Sequence, residues 1–146
     1  MLAVVVALLV AMVLRKADAV RSQAELAAFK TTLAALRTAL VIDYLQDSVS
    51  PRGPVAATVR SNPFALLKGR PPNYAGELIN ATPETVPVGS WVFDATCLCV
   101  GYRPMVADAL ETPVGAPVAW FQVSRPPGPL TISPIDRYRW LGETLD

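Results

Sequence analysis

Two spacings of apolar residues follow one another along the first 49 positions. The opening run, MLAVVVALLVAMVL, is apolar without interruption and is closed by Arg15 and Lys16. From Ala24 onward the pattern becomes one-sided: Leu26, Phe29, Leu33, Leu36, Leu40 and Tyr44 recur at steps of 3, 4, 3, 4 and 4. Arg21, Lys30, Arg37, Asp43 and Asp47 fall largely elsewhere around the helical wheel. That spacing predicts an amphipathic helix whose stripe must be covered. No break separates the two patterns, so one helix is expected from about Leu2 to about Asp47, about 70 Å long. Its residues 1–14 are apolar all round, and its residues 20–49 form the amphipathic part. The neighbouring domain is the expected cover for the stripe, in preference to a homodimeric coiled coil.

Proline and glycine sharpen this division. All 14 Pro and all 8 Gly lie after residue 50. Pro breaks helix interiors and Gly weakens them, so the helix is predicted to end before Pro51, Gly53 and Pro54. Residues 50–87 read as a Pro-rich connector. Within it NPFALL suits one helical turn, with Asn62 as cap, Pro63 in the first turn and Phe64, Leu66 and Leu67 buried. Over residues 88–146 the period changes to two. GSWVFDATCLCVGYRP reads as one strand, with Trp91, Phe93, Ala95, Cys97 and Cys99 on one face. Val92, Asp94, Thr96, Leu98, Val100 and Tyr102 fall on the other. A second strand sets Ala119, Phe121 and Val123 against Val118, Trp120 and Gln122, and a third is interrupted at Pro134. The expected fold class is α+β: a long N-terminal helix, apolar then amphipathic, packed on a small antiparallel sheet. Leu26, Phe29, Leu33, Leu36, Leu40 and Tyr44 are the expected helix–sheet contacts.

Charge and cysteine content narrow the chemistry. Thirteen basic residues balance 12 acidic ones, and there is no His. Residues 50–146 carry eight of each sign, scattered, so nucleic acid is not an expected partner. Without His the commonest general base and metal ligand are missing. Asp94, Asp108, Glu111, Asp136 and Glu143 show no pairing pattern and read as surface carboxylates. No nucleophile elbow or phosphate loop is present. An enzyme is therefore not expected, nor a small-molecule substrate. No cofactor is expected either, with calcium near Asp108 and Glu111 as the alternative. Cys97 and Cys99 read as buried small apolar residues rather than a disulfide, because i and i+2 in an extended strand lie near the limit for bridging. Trp91, Trp120, Phe121, Tyr138 and Trp140 read as sheet core rather than a ligand face. Asn80-Ala81-Thr82 matches a glycosylation triplet of a kind common by chance.

The first fourteen residues admit three readings. A cleaved signal is disfavoured because no basic stretch precedes the run and Arg15 and Lys16 stand before the small residues at 17–19. A core helix of a soluble protein lacks enough chain to enclose it. A signal anchor whose start lies upstream of Met1 fits best, since a span needs about 20 residues. Arg15 and Lys16 would then face the non-cytoplasmic side, against the positive-inside tendency. Leu2, Val5, Val6, Leu8, Leu9, Met12 and Val13 are the candidate residues for contact with lipid or a filament core.

An apolar helix that runs into an amphipathic one, then a connector and a small sheet, resembles a type IV pilin or type II secretion pseudopilin. LAVVVALLVAMVLRKADAVRSQAELAAFKTTLAAL resembles the family's N-terminal helix after its processing site. NPFALLKGRPPNYAGE, VGSWVFD and CLCVGYRP resemble the connector and first strand of pilins of the mannose-sensitive haemagglutinin type. The chain departs from the family in three respects. It shows no processing motif, its helix has no internal Pro, and Cys97 and Cys99 cannot form the wide C-terminal disulfide of many pilins. The resemblance implies a minor pilin or pseudopilin of a pilus or secretion filament. Such a subunit is a single-pass protein of the bacterial inner membrane, with its globular domain in the periplasm. Its partners would be other pilin-like subunits and an assembly platform. The alternative is a membrane-anchored periplasmic binding or scaffold module that does not polymerise.

Overall fold

One helix, α1 (Leu2–Ser48), runs unbroken through both sequence patterns. In this computed structural model, residues 2–49, 62–124 and 127–146 are described; most of the segment joining α1 to Asn62 lies outside them. A 3₁₀ turn follows at Pro63–Leu66. Its start is built as its sequence predicts: the Asn62 side chain accepts the Phe64 N–H at 3.0 Å, and Pro63 occupies the first turn, where no donor is needed. Phe64 is fully buried, with Leu66 and Leu67 half-buried against the core.

The strands are β1 (Tyr74–Leu78), β2 (Ser90–Asp94), β3 (Cys99–Arg103), β4 (Leu110–Glu111), β5 (Ala119–Ser124), β6 (Thr131–Pro134), β7 (Arg139–Trp140) and β8 (Glu143–Thr144). A five-stranded sheet has the order β1-β2-β3-β5-β6, and a small second sheet has the order β4-β7-β8. The fold is therefore α+β, with one long N-terminal helix packed on a sheet. The sheet is mixed rather than purely antiparallel. β1 comes from residues expected to be connector, and it pairs parallel with β2. Its alternation is short and holds Gly76, which weakened the strand signal.

The expected single strand over GSWVFDATCLCVGYRP is a hairpin instead. β2 and β3 pair antiparallel, Trp91 opposite Tyr102 and Phe93 opposite Val100. The turn falls at Ala95–Leu98, where Asp94 holds the chain. Its carboxylate accepts the Thr96 N–H at 2.8 Å and the Ala81 N–H at 2.8 Å. Reversal changes the face assignment, because opposite residues of a hairpin share a face. Tyr102 thus joins Trp91 toward the helix, while Cys99 shares the outer face with Asp94. Asp94 is buried, not a surface carboxylate. Burial pushes its carboxyl up, but the hydrogen bonds from Thr96 and Ala81 prevail and hold it below the ordinary value.

Leu98 turns with φ +59°, and the flanking Cys97 and Cys99 are joined by a disulfide with their Cα atoms 5.2 Å apart. This corrects the expectation of two buried, unbridged cysteines: Cys99 is buried, but Cys97 is exposed and bonded to it. The chain is not extended there, so the two sulfurs meet.

The core lies between α1 and the sheet. Leu26, Phe29, Leu33, Leu36 and Leu40 are all buried against it. Phe29 is the centre: its ring stacks on Trp91 with centroids 4.9 Å apart and touches Tyr102, Phe121 and Trp140 at 5.3–5.7 Å. Such offset and tilted aromatic contacts add to the apolar burial. Tyr44 departs from the pattern. It is 41 % exposed, one turn past Leu40, the last buried residue of the stripe. Trp120 departs too: it lies half-buried on the outer face of the sheet, over a small cluster of Val86, Val92 and Val118. Its ring occupies the place where a Cβ on Gly101 would lie. Gly101 is what allows that close approach.

Candidate functional site

The candidate site is the N-terminal half of α1, and its geometry follows from where the sheet stops. Every side chain described from Ala3 to Arg21 is exposed, and burial begins at Ser22. The large apolar side chains from Val4 to Leu14 are each 52–66 % exposed. Val5, Val6, Leu8, Leu9, Met12 and Val13 therefore form one continuous apolar surface, and Leu2 opens the same helix. Monomeric soluble proteins rarely leave apolar patches larger than a few hundred Å² uncovered. Along one side, Ala3, Ala7 and Ala11 lie between Val6, Val10 and Leu14 and make a shallow furrow. Small residues at that spacing let another helix approach closely. No described helix is long and apolar enough to cross a membrane.

The junction between this projecting half and the folded head is polar and tied. Glu25 Oε1 accepts the Tyr102 hydroxyl at 2.7 Å and the Met105 N–H at 2.8 Å. Glu25 Oε2 is buried without a partner among the described residues. Burial raises the Tyr102 phenol far above its ordinary pKa, and the bond to the Glu25 carboxylate adds to the rise. Sequence reasoning missed this clamp. The signal was an acid at position i−4 to Phe29, on the edge of the apolar stripe. Farther along α1, Lys30 pairs with Glu143. Arg37 donates from Nε and Nη2 to the Ile132 carbonyl at 3.1 and 3.0 Å, and also to the Asp146 carbonyl. These contacts fix α1 to the last strands of the head.

The remaining sequence candidates do not gather into a centre. Asp108 is exposed in the 3₁₀ turn Ala107–Ala109, and Glu111 in β4 faces Arg139 at 3.6 Å. Asp136 is exposed, and Glu143 is engaged by Lys30. Among the described residues, no group of three or more His, Cys, Asp or Glu side chains could hold a metal ion. Trp91, Phe121, Tyr138 and Trp140 are buried in the core rather than presented to a ligand. No family model, no curated protein and no solved structure matches this chain.

Proposed function

We propose that this protein is a structural subunit of the pilin or pseudopilin kind, held in a membrane by the N-terminal half of α1 and assembled into a filament by packing of that same surface. The observation that carries the reading is the continuity of α1. One rigid rod is core over Leu26–Leu40 and bare apolar surface over Ala3–Leu14. Lipid and the apolar flank of a second helix are equally dry, so one surface serves both storage and assembly. In this reading no chemistry is performed by the head and no cofactor is used. The Cys97–Cys99 disulfide supports a head folded in an oxidising compartment such as the periplasm. The resemblance of the helix, connector and first-strand sequences to pilins supports the same assignment, as a minor pilin or pseudopilin.

The test is fractionation of native cells into membranes and sheared surface filaments. A pilin-like subunit is expected in both fractions, and substitution of Leu9 by Glu should remove it from filaments. Recovery in the membrane alone, under conditions that shear filaments from the same cells, would favour the non-polymerising anchored module.

A further inference from the structure

Between the apolar surface and the head lies a short stretch that neither of them uses. Residues 15–21, RKADAVR, are all exposed, and the first buried side chain beyond them is Ser22. Three of the seven are cationic and one is anionic. The other two cations of α1 are occupied, Lys30 by Glu143 and Arg37 by backbone oxygens of the head. Arg15, Lys16 and Arg21 have no ion-pair partner among the described residues.

Their placement has two features that point to a ligand. Axially, Arg15 and Lys16 lie within about 3 Å of Leu14, and Arg21 about 10 Å beyond it, at about 1.5 Å per residue. The polar zone of one leaflet is about 5–7 Å deep, and long basic side chains extend several ångströms along the helix axis. With Leu14 at the edge of the hydrocarbon, all three charges therefore fall at or beside headgroup depth. Around the axis, at about 100° per residue, the three directions are about 100–140° apart. They face every side of the helix. A second protein copy docks on one side of a helix, whereas a lipid leaflet surrounds it.

We propose that Arg15, Lys16 and Arg21 form a collar that binds the phosphodiester headgroups of anionic phospholipids around α1. The inference rests on the reading of the apolar half as a membrane anchor. Guanidinium groups suit phosphate oxygens through paired hydrogen bonds, and the Lys ammonium adds a point charge. Asp18 stands between Arg15 and Arg21 on the wheel and offsets one of the three charges. The collar sets the depth of the helix: it holds Leu14 at the hydrocarbon edge and leaves the head, whose packing on α1 begins at Ser22, on the aqueous side.

The test uses the full chain, diluted from mild detergent onto vesicles and followed by flotation across a lipid titration. One set of vesicles is phosphatidylcholine alone, and the other contains one third phosphatidylglycerol. Near an anionic surface, two net charges correspond to about thirtyfold tighter partition at low salt. The preference is expected to shrink in 0.5 M salt. The variant R15Q/K16Q/R21Q, altered only at exposed positions, should bind both vesicles as the native chain binds the neutral one. Equal partition of the native chain onto both vesicles overturns the collar and leaves the anchor intact. An unchanged anionic preference in the variant overturns it in favour of charges on the head. If the variant keeps its vesicle preference but loses chemical cross-linking between copies, the collar's partner is protein, which also overturns the proposal. Failure of the native chain to float with either vesicle removes the anchor reading itself.

Discussion

Leu9 and Leu36 lie on the same helix, yet Leu9 is 58 % exposed and Leu36 is 0 % exposed. Both stand in stretches rich in Ala, Leu and Val, and the stretch around Leu9 is the more apolar of the two. Hydrophobicity alone therefore does not decide burial in α1; the extent of the sheet does. The head needs about four turns of helix to cover its aromatic face, and Leu26, Phe29, Leu33, Leu36 and Leu40 supply them. Among the described residues, the remaining apolar length has no intramolecular partner. Its alternatives are lipid or other chains, and the anchoring and assembly proposals start from that difference.

Substitutions in the two halves should separate head stability from assembly. The largest effect is expected at Phe29. F29A removes the ring at the centre of four aromatic contacts and should cost about 3–5 kcal/mol of head stability. L9A in the exposed half should leave denaturant unfolding of the head unchanged, in the same detergent. A loss of stability in L9A comparable to that in F29A would erase the distinction between the halves.

The Glu25 clamp sharpens the boundary between them. Y102F removes the hydroxyl donated to Glu25, and a loss of about 1–3 kcal/mol is expected. A pH dependence follows with a definite sign. The phenol of Tyr102 titrates higher in the folded state than in the unfolded chain, so its contribution is fully present below about pH 10. Above that pH the unfolded chain loses the proton first, and stability should fall. Y102F should flatten this alkaline limb in urea titrations. Asp94 gives the opposite sign at the acid end. Its folded-state pKa is lowered, so its contribution is present above about pH 4 and lost as the pH falls further.

Smaller effects are expected at the turn and at the far end of α1. C97S opens the disulfide between two residues only two apart in sequence. Chain entropy for so short a loop gives about 1.5 kcal/mol. Y44A, at an exposed position past Leu40, should change stability by less than about 0.5 kcal/mol. Calorimetric unfolding of these two variants beside F29A would show whether the stripe ends at Leu40.

The helix was legible in the sequence almost to the residue, because an unbroken apolar run, a one-sided period from Ala24 and the absence of Pro and Gly before residue 50 all agreed. The Asn62 cap and the strand at Ala119–Ser124 were legible too, because each carries a local signal. The hairpin was not. Alternation of apolar and polar residues continues through Asp94-Ala95-Thr96, and the turn depends on a carboxylate that reaches back to Thr96 and across to Ala81. Only the local part of that, an Asp two residues before a Thr, is written in sequence. The faces of Tyr102 and Cys99, and the disulfide, all follow from this one missed turn. Tyr44 was misread for a different reason: helical periodicity says which face is apolar, not where its partner ends. For the candidate surface, the sequence identified the apolar run and its cationic border. The clamp at Glu25 needed the fold, since Tyr102 and Met105 lie 77 and 80 residues away.

The most direct test of the two-part helix places a photo-activatable side chain at Leu9 or at Leu33 of the full chain in native membranes. Lipid adducts and cross-links between copies are expected from position 9, and cross-links only within the chain, to the head, from position 33. Intramolecular cross-links to the head from position 9 would mean that the apolar half folds back onto its own domain, and would contradict the account.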